Sequence, residues 1–181
     1  TFYDAKARKV VAYNGRETAP AGATPDMFLG PEGRPMPFPQ AVTSGRSTGA
    51  PGAIAMLAMA QKDYGKLPWK SLFADAENLA DDGFVVSPRL AGMIASNGAQ
   101  ARGADARAYF TKADGTQYKA GDTLKNPAYA DTLRRIAAEG PKGLLAGPVG
   151  EAIVAKVHEG LAGSLTLADM AAYKPLKSDG L

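Results

Sequence analysis

Proline stands directly after a capping side chain at Thr24-Pro25, Ser87-Pro88 and Asn126-Pro127, and this pairing constrains the fold more than any other feature of the chain. Ser, Thr and Asn satisfy the free amides of a first helical turn, and proline, which has no amide to lose, is tolerated at its first position. Pro68 and Pro148 follow poorer caps but stand where helices would begin. The punctuation predicts helices from Pro25 onward: Pro51 to Tyr64, Pro68 to Asp82, Pro88 to Ser96, Pro127 to Glu139, Pro148 to Glu159 and Leu167 to Ala172. Thr166 and Asp169 open the last in a capping-box arrangement. Trp69, Leu72, Phe73, Ala76, Leu79 and Ala80 fall at helical spacing on one face, so this helix and the one before it are expected to face a core.

The N-terminus reads differently. Thr1 to Tyr3 and Lys9 to Tyr13 are strand-like runs joined by a polar connection that can close a β-hairpin. A lone hairpin is marginal in water, so a larger sheet is expected to include it. Asn14-Gly15 would signal another hairpin, but Arg16-Glu17-Thr18-Ala19-Pro20 follows, and a proline there argues against a returning strand. The segment reads as a loop leaving a strand end. The expected class is α+β: one region over residues 1–181, with a strand pair in 1–17 and mainly helix in 24–175. Weak strand character is expected at Gln117 to Lys119, after an Asp114-Gly115 turn. Pro31 to Pro39 reads as a loop anchored by Met36 and Phe38, a PxxP ligand being the alternative.

Composition removes several function classes. At 181 residues, 45% apolar and 22% charged, the chain is of ordinary globular make-up. No apolar run approaches the roughly 18 residues of a membrane-spanning helix. The net charge of +3 is spread along the chain, the longest basic cluster being Lys6 to Lys9, whereas nucleic-acid binders gather such charge on one face. With no cysteine, disulfides, thiolate zinc sites and a cysteine nucleophile are excluded. The single histidine, His158, has no second histidine with which to share a metal. No cofactor or metal is expected. Thr1 to Ala5 lacks the pattern of a signal peptide, so a segment upstream of Thr1 is expected.

Few residues offer chemistry. No G-x-S-x-G elbow accompanies the lone histidine. Ser44 to Gly52, "SGRSTGAPG", leads into a helix N-terminus that can attract anions, but it lacks the lysine of a P-loop; the alternative is a tightly packed turn where glycine is sterically required. Asp81-Asp82 and Asp75 with Glu77 read as a solvated face. Arg16-Glu17 remains. A guanidinium on a rigid sheet end can form a paired, charge-assisted grip on a carboxylate, which suits the α-carboxylate of an amino-acid substrate; the bland alternative is a surface charge. In an extended segment Arg16 and Glu17 are expected to point to opposite sides.

The blocks "YDAKARKVVAYNGRETAPAGATPDMFL", "PMPFPQAVTSGRSTGAPGAIAMLAMAQKDYGKLPW" and "LFADAENLADDGFVVSPRLA" resemble consecutive blocks of the γ-glutamyltranspeptidases, in family order and spacing. "LTLADMAAY" resembles a further landmark. The resemblance implies a helical piece of the αββα sandwich of an N-terminal-nucleophile hydrolase, made as a precursor that cuts itself into a heterodimer of large and small subunits. The small subunit of such an enzyme begins with the threonine that attacks the γ-glutamyl amide, its own α-amino group acting as base. The sequence has no Thr-Thr-His start of a small subunit, so no catalytic residue is expected on this chain, nor activity from it alone. By carry-over, Arg16 binds the α-carboxylate of the γ-glutamyl group and Glu17 is structural or orienting, while Gly45 to Gly52 become packing. The implied partners are the small subunit and substrates such as glutathione, and a periplasmic or secreted location is expected. A glutaryl-cephalosporin-type acylase of the same superfamily and a non-catalytic helical scaffold stay as alternatives.

Overall fold

The structure, a computed structural model, describes residues 1–96, 98 and 103–179. Strands β1 (Phe2–Asp4) and β2 (Lys9–Asn14) form the expected antiparallel hairpin, with Phe2 opposite Val11 and Asp4 opposite Lys9. The Asp4 carboxylate accepts from the amides of Lys6 and Ala7 and so closes the connection. The hairpin does belong to a larger sheet. Strand β5 (Leu176–Asp179) pairs antiparallel with the other side of β2, Tyr13 facing Lys177, and the order is β1-β2-β5. At Asn14 the strand ends, and the chain leaves as a loop rather than a second hairpin.

Capping chemistry places most helices where the sequence puts them. In α4 (Pro88–Ala95) the Ser87 hydroxyl accepts from the Leu90 amide. In α6 (Pro127–Glu139) Asn126 does the same for Tyr129. In α9 (Leu167–Ala172) both halves of the Thr166–Asp169 capping box are formed. Before α4 run α1 (Phe38–Val42), α2 (Ala53–Tyr64) and α3 (Ala74–Asp82), and between the capped helices lie α5 (Ala104–Tyr109), α7 (Lys142–Leu145) and α8 (Gly147–Val157). The chain is α+β, mainly helical with an N-terminal hairpin.

Two apolar clusters hold these elements. Ala50, Val157, Leu165 and Met170 form one, against which Leu145, Ile153, Val154 and Tyr173 pack; it joins α8 and α9 to the turn before α2. Ala80, Ala130 and Leu133, with Phe73, form the other between α3 and α6. There the Trp69 indole N–H donates to the carbonyl of Ile136 at 3.0 Å. A two-stranded ladder, β3 (Phe84–Val85) with β4 (Thr123–Leu124), caps that side.

Several expectations need correction. Thr24-Pro25 opens only a turn, in which the Met27 amide bonds to Thr24 O; Gly30-Pro31 follows too closely for a costly first turn to propagate. The helix expected from Pro68 begins as a 3-10 segment, Trp69–Phe73, the tighter winding frequent at helix starts. Its inner stripe runs through Phe73, Glu77 and Ala80, leaving Leu72 and Leu79 about half exposed. The stripe is shifted because Arg134 of α6 meets both Glu77 and Asp81, so these carboxylates are paired rather than merely solvated. Helix α2 has no fully buried residue; its apolar residues run all round, and Leu57 is half exposed. Phe38 does not anchor the proline-rich loop, being 77% exposed at the start of α1. A bridge between Leu29 and Pro35 and the Met36 amide on Phe28 O do so instead. Gln117 makes a single bridge to Thr111 rather than a strand, since α5 and its C-cap occupy the chain up to Phe110.

Candidate functional site

The loop after β2 is built from the backbone outward. Gly15 leaves the strand against α2, so closely that a Cβ there would lie 2.5 Å from Cβ of Met56. The Asn14 side-chain oxygen accepts from the Arg16 amide at 2.9 Å. The Arg16 carbonyl accepts from the Tyr173 hydroxyl at 2.9 Å. Two residues on, Thr18 and Ala50 exchange both backbone hydrogen bonds, at 3.3 and 2.9 Å. Pro20 is buried, and the Ala21 amide donates to the Asp169 carboxylate at 2.9 Å. Residues from α2, α9 and the segment before α2 thus fix a stretch that has no regular secondary structure of its own.

The glycine block explains how these pieces approach. A Cβ on Gly49 would sit 2.6 Å from Thr18 O, and one on Gly52 would fall 1.9 Å from the Tyr173 hydroxyl oxygen. Gly45 is as crowded, 1.8 Å from the carbonyl oxygen of Val157. These distances are the steric reading of the block. The amide end of α2 is closed by the Tyr173 hydroxyl at Gly52, where a phosphate cradle would need open space.

On this fixed backbone the side chains of Arg16 and Glu17 are displayed to solvent, 81% and 53% exposed. They do not diverge as an extended segment would require. Arg16 Nε lies 3.2 Å from Glu17 Oε1, because the backbone at Asn14 to Arg16 turns instead of continuing the strand. An exposed pair of this kind is worth about 0–1 kcal/mol, so its significance is orientation. With Nε turned to Glu17, the two terminal nitrogens have no partner among the described residues, and such a fork matches a carboxylate in two parallel hydrogen bonds. His158 lies exposed at the end of α8.

Reading the sequence isolated Arg16 and Glu17 but missed Asn14, Ala50 and Tyr173 as their supports. Asp169 was legible only as a cap. The Asn14-Gly15 dipeptide carried a local signal, a turn in which Asn accepts from the backbone two residues on. Nothing local marks Tyr173.

The described chain matches the family model "Gamma-glutamyltranspeptidase" over residues 1–180. It is 38% identical to Glutathione hydrolase 3 of Arabidopsis thaliana over 178 residues, 97% of this chain and 26% of that protein. With the Glutathione hydrolase proenzyme of Escherichia coli (strain K12) the identity is 35%, over 92% of this chain and 28% of that protein. The crystal structure of Helicobacter pylori gamma-glutamyltranspeptidase superposes with a TM-score of 0.89 at 29% identity, covering 97% of this chain and 50% of that one. The chain therefore spans about a quarter of the length of the curated relatives it matches. A match along nearly all of its length, in sequence and in three dimensions, places the chain in the gamma-glutamyltranspeptidase family.

Proposed function

We propose that this chain is the large-subunit piece of an enzyme that cleaves the γ-glutamyl amide bond of glutathione and passes the γ-glutamyl group to water, an amino acid or a peptide. The whole of residues 1–181 is one region of that subunit's domain. The attacking threonine and its α-amino base belong to a small subunit cut from the same precursor, and the proenzyme name of the Escherichia coli relative supports such processing. The relatives named as glutathione hydrolases favour glutathione over a glutaryl-cephalosporin. The complete protein works in the periplasm or outside the cell.

The observation that carries the reading is the solvent-facing fork of Arg16 on a backbone held by three other parts of the chain. A carboxylate arriving there meets a guanidinium whose position costs no further ordering of the loop, and such preorganisation turns directly into affinity. Arg16 grips the α-carboxylate of the γ-glutamyl group. Glu17 orients Arg16 through Nε and stays off the substrate, which would otherwise meet a like charge.

The test uses the full-length, self-cleaved protein and the release of chromophore from a γ-glutamyl anilide. Arg16→Ala is expected to raise KM by one to three orders of magnitude, the equivalent of about 2 to 4 kcal/mol of lost grip. Arg16→Lys recovers only part, since a lysine ammonium cannot make the paired contact. Wild-type KM in both variants removes Arg16 from the site.

A further inference from the structure

Residue 16 is held at both ends of its own backbone. Its amide donates to Asn14 and its carbonyl accepts from Tyr173, each at 2.9 Å. The first contact is local and the second comes from 157 residues along the chain. Tyr173 is unusually well placed for this. Its ring packs against the cluster of Ala50, Val157, Leu165 and Met170, which fixes the direction of the hydroxyl, and the hydroxyl fills the place beside Gly52 that a Cβ would take. The peptide plane between residues 16 and 17 sets the directions in which both side chains leave the backbone. A tyrosine that pins this carbonyl therefore pins the guanidinium fork.

We propose that Tyr173, together with Asn14, is a positioning residue for Arg16, acting through the backbone of residue 16 to hold the guanidinium where it receives the substrate carboxylate. The inference rests on the carboxylate-binding reading of Arg16 and adds the device that sets its geometry. Two further features of the same surroundings favour it. The Asp169 carboxylate, whose second oxygen closes the capping box with Thr166, accepts from the Ala21 amide through its first. Helix α9 thus grips the loop at two points, beyond Arg16 and, through the residue that follows the helix, at Arg16 itself. The Thr18–Ala50 bridge lies between those points, so a shift of the Arg16 carbonyl cannot spread into the loop and stays at the site.

The experiment compares wild type, Tyr173→Phe, Asn14→Ala and Arg16→Ala, and combines each of the first two changes with Arg16→Ala, in the full-length, self-cleaved protein. Tyr173→Phe keeps the packed ring and removes only the hydroxyl. KM for the γ-glutamyl anilide is expected to rise about three- to tenfold in Tyr173→Phe, the factor one neutral hydrogen bond supplies, with kcat close to wild type. Asn14→Ala gives a rise of the same order by an independent contact, which keeps the inference testable if Tyr173→Phe yields no folded enzyme. In the Arg16→Ala background neither change raises KM further, because no fork remains to be positioned. The anilide of 4-aminobutyrate, which lacks the α-carboxylate, is turned over alike by wild type and Tyr173→Phe. Wild-type KM in Tyr173→Phe and Asn14→Ala, or an equal rise with and without Arg16, overturns the inference while leaving the role of Arg16 intact. An unchanged KM in Arg16→Ala itself overturns the carboxylate reading, and the positioning role with it.

Discussion

Residues 15–21 and residues 29–37 are consecutive loops of similar make-up, both containing glycine, proline and arginine, yet they are secured by opposite means. The second closes on itself: Gly30 N bonds to Arg34 O, Met36 N to Phe28 O, and Leu29 bridges Pro35. Its link outward is Arg46, which donates to Met27 O at 2.7 Å and reaches the Met36 sulfur at 3.8 Å. The first has a few short-range contacts, the Arg16 amide on Asn14, the Arg16–Glu17 pair and the Ala23 amide on Pro20 O, none of which closes it on itself, and it is held in place by Ala50, Asp169 and Tyr173. A self-closed loop can keep its shape while moving as a unit. A loop pinned to distant elements keeps its position relative to them, and position is what the carboxylate grip proposed for Arg16 requires.

The largest effect that distinguishes the two loops comes from adding one methyl group to the support of the first, at Gly52, and one to the second itself, at Gly33. Gly52→Ala drives a Cβ to 1.9 Å from the Tyr173 hydroxyl oxygen and 2.6 Å from the carbonyl oxygen of Gly15, so ring, strand end and helix start must all give way. Overpacking of this kind costs about 3 kcal/mol, read as a lower midpoint in chemical denaturation of the full-length protein. Gly33 has nothing within 4 Å of its would-be Cβ, and only its φ of +69° opposes a side chain. Gly33→Ala is expected to cost about 1 kcal/mol, and Gly33→Asn less still. Equal losses at the two positions would erase the distinction.

A middle-sized effect sharpens the comparison from the other loop. Arg46 is half-buried and donates to a single backbone carbonyl, so Arg46→Met keeps most of its apolar stem and loses the charged donor. The expected cost is about 1–2 kcal/mol, with KM for the γ-glutamyl anilide unchanged because the loop beyond it carries none of the supports of Arg16. A rise in KM as large as that of Tyr173→Phe would show that the second loop also positions the first.

What the sequence made legible follows the same division between local and distant causes. Helices α6 and α9 begin and end where expected, since their determinants, a capping side chain and proline or a capping box, lie within four residues of the start. The strand β5 was not foreseen. "LKSD" has no apolar alternation, every residue of it is exposed, and it is a strand only because β2 offers an unpaired edge. Glu77 turns inward because Arg134 lies opposite, which no periodicity within α3 can announce. Arg16 and Glu17 stood out as an anomaly after a strand, and the buried Pro20 explains the proline that follows them. Their salt bridge and their hold on Tyr173 depend on a turn and a partner that local pattern does not encode.

The smallest effect concerns the sheet from which the first loop departs. The Asp63 carboxylate at the end of α2 accepts from Lys177 of β5 at 2.6 Å and from the Tyr13 hydroxyl of β2 at 2.7 Å, so one side chain ties both strands to the helix. The bond from Lys177, and after it that from Tyr13, hold the Asp63 carboxyl below its ordinary value of 3.8. A carboxylate with a depressed folded-state pKa lends stability that is fully present above its unfolded value and is lost as pH falls through the folded one. The same contact with Asp63 raises Lys177 above 10.5, and an ammonium so raised lends stability present below its unfolded value and lost as pH rises through the folded one. The clamp is therefore intact between roughly pH 4 and pH 10. Asp63→Asn should lower the thermal midpoint of the full-length protein slightly at pH 7, and the difference from wild type should shrink steadily as pH falls below the ordinary carboxylate value and Asp63 takes up its proton. A difference that stays constant as pH falls through the acid range would mean that the carboxylate charge contributes nothing, and that the sheet end from which the Arg16 loop departs is steadied by the aromatic stack of Phe2 on Tyr64, 4.1 Å between ring centroids, instead.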